Sequence, residues 1–97
     1  MEKRAILALV EAKPGKEQEV ENFLKSALPL AQNETKTVRW YAIKLGASSF
    51  GIFDTFEDDS GRDAHLNGEI AKALMANADA LLAKPPQIQK VDIVAAK

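Results

Sequence analysis

The chain has no cysteine and a single histidine among its 97 residues. Without thiols there can be no disulfide, no thiolate metal site and no thiol nucleophile. One imidazole leaves zinc and iron without their usual ligand sets, so no metal site is expected. Glycines are few, and Gly46, Gly51, Gly61 and Gly68 are too scattered to form a loop that cradles phosphate. Ser48, Ser49 and Ser60 stand outside any nucleophile-elbow pattern. Charge of one sign is also missing. The net charge is −1, with basic residues spread along the chain and no basic-aromatic alternation, so no nucleic-acid partner is expected. Long apolar runs are absent too. The run Ala5 to Val10 stops at Glu11, which argues against both a signal peptide and a membrane span. The lack of cysteine fits a reducing compartment, and a cytoplasmic location is the expectation.

What is present suits one small soluble domain spanning residues 1–97. Arg4 to Glu11 reads as a first strand, and its six consecutive apolar residues imply burial on both faces. Lys13-Pro14-Gly15 makes a turn. From Lys16 the period changes: Val20, Phe23, Leu24, Ala27 and Leu28 share one face of a helix that Pro29 ends or kinks. Leu30 to Gln32 can add a last turn, and Asn33 to Lys36 reads as loop. Thr37 to Leu45 is a second strand, Gly46 to Ser48 a hairpin connection, and Ser49 to Phe56 a third strand. Asp58, Asp59 or Ser60 caps a short helix that ends near Leu66-Asn67-Gly68. A longer, alanine-rich helix follows from about Glu69 to Ala83, with Ile70, Ala73, Leu74, Ala78, Leu81 and Leu82 as its apolar stripe. After Pro85-Pro86, Ile88 to Ala95 alternates as a fourth strand.

This order is the split βαβ, ferredoxin-like α+β arrangement (βαββαβ), with a four-stranded antiparallel sheet. Two main helices can cover only one sheet face. The first three strands carry apolar residues on both faces, so a second copy packed sheet to sheet is the economical cover, and a homodimer is expected.

His65 is the only side chain whose ordinary pKa lies near neutrality. It can act as a general base, donate a hydrogen bond to a phenolic or carbonyl oxygen, or tie the loop to the strand. Asp54 lies inside a strand, where a carboxylate needs a partner. It can orient a histidine, or pair with Arg39, Lys44 or a cation of a second subunit. Trp40, Phe50, Phe53 and Phe56 can shape an apolar pocket for an aromatic substrate or be plain core; Trp40 and Tyr41 point to opposite faces. The acidic run Glu57-Asp58-Asp59 lacks the spacing of a calcium loop and reads as a helix cap.

The early strand followed by AKPGKEQEVENFL, the central FGIFDTFEDDSGRDAHL and the terminal strand after Pro85-Pro86 together resemble the antibiotic biosynthesis monooxygenase family. The resemblance covers essentially the whole chain. It implies two ferredoxin-like subunits with apposed sheets, a dimeric α/β barrel. It also implies oxidation of aromatic or quinol-type substrates by O2 without flavin, haem or metal. His65 matches the family's histidine in the helix after the third strand. Asp54 matches an acidic position two residues before that strand's final aromatic. Phe56 fills the aromatic position, where many members carry tryptophan, so an indole N–H is missing there. The reading is therefore a cofactor-independent monooxygenase with His65 and Asp54 as catalytic residues and Trp40, Phe50, Phe53 and Phe56 around the substrate. The alternatives are a non-catalytic dimeric binder of small ligands and a haem-degrading enzyme with His65 on the iron.

Overall fold

The computed structural model describes all residues, 1–97. Its elements run β1 (Arg4–Glu11), α1 (Glu17–Ser26), α2 (Leu28–Asn33), β2 (Thr37–Lys44), β3 (Ser49–Phe56), α3 (Asp59–Leu66), α4 (Glu69–Leu81) and β4 (Gln87–Asp92). The strands form one antiparallel sheet in the order β2-β3-β1-β4. This is the ferredoxin-like α+β arrangement expected from the sequence. No helix is long and apolar enough to cross a membrane.

The departures from expectation lie at element ends, and each has a physical cause. The predicted helix through Leu28 is two helices. Pro29 has no N–H to bond backwards and sits in the first turn of α2, where that lack is harmless. The apolar stripe of α1 therefore stops at Ala27, which is buried, and Leu28 turns outward. Helix α4 ends at Leu81, not Ala83. Leu82 bridges Ala12, and the Ala83 N–H donates to the Glu11 carbonyl at 2.8 Å, so both residues extend the sheet margin. Strand β4 ends at Asp92 because its last register partner, Arg4, is the first residue of β1. Only the Ile93 N–H continues the ladder, to the Lys3 carbonyl.

The register puts Ile6, Ala8 and Val10 of β1 beside Asp54, Ile52 and Phe50 of β3, all on the helix-covered face. There Ala8, Val10, Phe50 and Ile52 meet Val20 and Leu24 of α1 and Leu74 and Ala78 of α4 in one core. Trp40 bridges this core to a smaller one around Ala27, Ala31 and Ile70. The other face carries Leu7, Leu9, Tyr41, Ile43, Phe53 and Val91 by strand alternation. No element of the chain lies over it, and Tyr41 and Ile43 remain 50% and 39% exposed.

Candidate active site: a histidine between two carboxylates

Helix α3 is fixed at its start. Asp58 caps it by accepting from the Gly61 N–H at 3.0 Å, and Ser60 Oγ donates to the same carboxylate. Gly61 lets the helix approach the loop before β2: a Cβ there would lie 3.3 Å from the Lys36 carbonyl oxygen. On the other side Arg62 Nη1 donates to the Val91 carbonyl at 3.1 Å, and Arg4 pairs with Asp59 at 2.8 Å. One turn beyond Gly61, on the same buried face, stands His65.

The His65 ring lies against Phe56, with centroids 5.4 Å apart and planes tilted by 45°. Its Nε2 is 2.8 Å from Asp54 Oδ2, and its Nδ1 is 2.6 Å from Glu34 Oε1. Asp54 is fully buried and His65 is 8% exposed. The Asp54 contact is close but lies off the ring N–H axis, so it is an ion contact more than an aligned hydrogen bond. The other Asp54 oxygen and the indole nitrogen of its cross-strand neighbour Trp40 are buried without a partner.

Glu34 reaches His65 because α2 stops just before it. Its backbone leaves the helix with φ −82° and ψ 106°. Thr37 Oγ1 donates to the same Glu34 oxygen at 2.7 Å, which fixes the carboxylate. The other oxygen, Oε2, makes no hydrogen bond in the chain and faces Gly68, where a Cβ would come within 3.3 Å of it.

Electrostatics follow from this geometry. Burial, the largest single effect, works against a charged imidazole. The close contact and charge of Asp54, then the hydrogen bond and charge of Glu34, outweigh it and raise His65 to about 9. Burial also raises Asp54, an effect that His65 partly offsets. The balance favours the imidazolium at neutral pH, with Nδ1 donating to Glu34 and Nε2 in ion contact with Asp54. In that form the ring has no lone pair to offer a metal or a proton.

A cleft of about 500 Å³ opens beside this group between α2, the loop before β2, α3 and the start of α4. His65 and Glu34 line it with Asn33, Thr35, Lys36 and Glu69; only Leu30 and Ala64 of its eleven lining residues are apolar.

Of the residues singled out in the sequence, the structure brings His65, Asp54 and Phe56 together. Asp54 meets His65, whereas Arg39 pairs with Glu2 and Lys44 with Glu21. Trp40 and Phe50 lie in the core, Phe53 sits on the opposite sheet face, and none of the four aromatics lines the cleft. Sequence reasoning missed Glu34 and Thr37. Glu34 stands 31 positions from His65 in a segment read as loop, so no local spacing links the two.

No protein-family model matches the chain, and none of the curated proteins matches it. Among solved structures, the NE2512 protein of unknown function from Nitrosomonas europaea is 57% identical; the match covers 100% of this chain and 94% of that one, with a TM-score of 0.98. A candidate antibiotic biosynthesis monooxygenase from the same organism superimposes with a TM-score of 0.83 at 10% identity, over 95% of this chain and 99% of that one. Another from Caulobacter crescentus gives 0.80 at 18% identity, over 97% and 92%. The chain therefore belongs, with the NE2512 protein, to a family that has the antibiotic biosynthesis monooxygenase-like fold.

Proposed function

We propose that this protein is a cofactor-independent monooxygenase that uses O2 on a small aromatic, quinol-type substrate bound in the cleft beside His65. The observation that carries this reading is the His65–Glu34 contact at the cleft margin: a charged donor and a carboxylate with one free oxygen, side by side. A substrate hydroxyl entering the cleft gives its proton to Glu34 Oε2. The imidazolium stabilises the phenolate that results. The electron-rich anion then reduces O2, a ring carbon gains one oxygen, and the second oxygen leaves as water. Phenol plus O2 thus becomes quinone plus water, with the substrate supplying every electron. His65 returns a proton to the peroxide oxygen. In this scheme His65 is a donor and Glu34 the base, with Asp54 holding the ring from behind.

Oxygen uptake by purified, metal-free protein over a panel of phenols and quinols tests the reading. The expected outcome is uptake equimolar with quinone formation, falling about 100-fold or more in Glu34→Gln. Saturable binding with no uptake across the panel would instead support a non-catalytic ligand binder. That second reading is favoured by one observation: both ring nitrogens are already engaged by carboxylates of the chain.

Two copies packed through their bare sheet faces complete the proposal. Burying Leu7, Leu9, Tyr41, Ile43, Phe53 and Val91 removes an apolar surface of the kind soluble monomers avoid. Sedimentation should report a dimer for the wild type and a folded monomer for Tyr41→Glu, since Tyr41 is half exposed and the change leaves the core intact. A wild-type monomer at micromolar concentration would contradict this assembly.

A further inference from the structure

Resting on the cleft being the substrate site, we infer that its ligand is a compact, neutral molecule of one or two rings carrying several hydroxyls, not an extended polycyclic aromatic. The lining is the reason. Nine of its eleven residues are polar, charged or glycine, and the two apolar ones are single side chains, Leu30 and Ala64. An extended aromatic face pressed here would strip water from Asn33, Thr35, Lys36 and Glu69 and return no hydrogen bonds. A hydroxyl-rich ligand replaces those waters group for group. The charges on the lining cancel, with Lys36 and the imidazolium of His65 set against Glu34 and Glu69. A net charge on the ligand therefore gains little, while neutral donors and acceptors find partners of both kinds. Glu34 Oε2 is the most specific of these partners, because it is a fixed acceptor with no bond inside the chain. The aromatic side chains that would stack on a polycyclic substrate are elsewhere: Trp40 and Phe50 in the core, Phe53 across the sheet.

Gly68 keeps Glu34 Oε2 accessible. Its backbone, with φ −93° and ψ −173°, suits any residue, so only close contacts oppose a side chain there. The added methyl would sit 3.3 Å from Oε2 and from the Ala64 and His65 carbonyl oxygens.

The test is an anaerobic titration of the full chain with pyrogallol and, separately, naphthol, followed by backbone amide NMR shifts. Pyrogallol is expected to shift the amides of Thr35, Lys36, Gly61, His65 and Gly68 saturably, with a Kd at least about tenfold below that of naphthol. Gly68→Ala and Lys36→Met should each weaken pyrogallol binding about fivefold. Naphthol binding as tightly as pyrogallol, or pyrogallol shifts confined to residues outside the cleft, would overturn the inference. Admitting air separates it from the monooxygenase reading. Pyrogallol bound in the cleft without enzyme-dependent oxygen uptake sinks the reaction and leaves the ligand class standing. Turnover of naphthol bound elsewhere does the reverse.

Discussion

Replacing His65 with alanine is expected to lower folding stability by roughly 3–5 kcal/mol, the range for breaking a buried ion pair by removing one partner. Asp54 has no solvent contact, and His65 is the cation it pairs with. The chain offers no substitute. Arg39 points to the bare sheet face with Glu2, and Lys44 is engaged with Glu21 at the far end of β2. Without the imidazolium, Asp54 must either stay charged in the core or take up a proton, and both cost free energy. The loss also opens a space against Phe56, which adds a packing contribution. Two measurements separate these causes. Urea denaturation at fixed protein concentration gives the total. Repeating His65→Ala in an Asp54→Asn background should cost distinctly less, because no buried charge is then stranded. A loss below about 1 kcal/mol in the single variant would mean that the clamp contributes little to the core.

Stability should also fall as pH rises from neutral to alkaline, by roughly 3 kcal/mol in total. The sign follows from the direction of the shift. His65 rises from 6.5 in the unfolded chain to about 9 in the fold, so its contribution is complete below 6.5 and is lost as pH climbs through 9. Asp54 is raised too, chiefly by burial, and so also favours the fold at lower pH. On the acid side the balance reverses. Glu2, Glu11 and Glu21 are lowered, led by hydrogen bonds from Thr55, Ser48 and Lys25 respectively, and their contribution disappears as pH falls below their ordinary 4.5. The stability maximum is therefore expected between 4.5 and 6.5. Thermal or urea unfolding across pH 4–10 checks this. In His65→Gln the decline between 6.5 and 9 should vanish. A wild-type curve that is flat there, or rising, would contradict the assignment.

The parts of this molecule that follow a local rule were legible in the sequence. Alternation in Ser49–Phe56 placed Phe50, Asp54 and Phe56 on one face and Phe53 on the other, and the register agrees. Asp58 was among the expected caps, and Gly68 marked the boundary between α3 and α4. Helix α2 was less legible, because Pro29 reads equally well as an end to one helix or the first turn of the next. The partner of His65 at Nδ1 was not legible at all. Glu34 reaches it only because α3 packs closely on the loop before β2, a tertiary contact set by Gly61 and invisible to any window of neighbouring residues. The aromatics were ambiguous for a related reason. Strand periodicity says which face a ring occupies, but not whether a helix fills the space above it, and over Phe50 that space is core.

Everything proposed for the site depends on His65 being charged and held between Asp54 and Glu34. Nitrogen-15 NMR of the imidazole at pH 7 tests it directly, since the two ring nitrogens report their protons separately. Both should be protonated, with a titration midpoint near the value of about 9 that the two carboxylates impose. A neutral ring at pH 7 with one bare nitrogen and a midpoint at or below 6.5 would contradict the account and return His65 to the role of a free base.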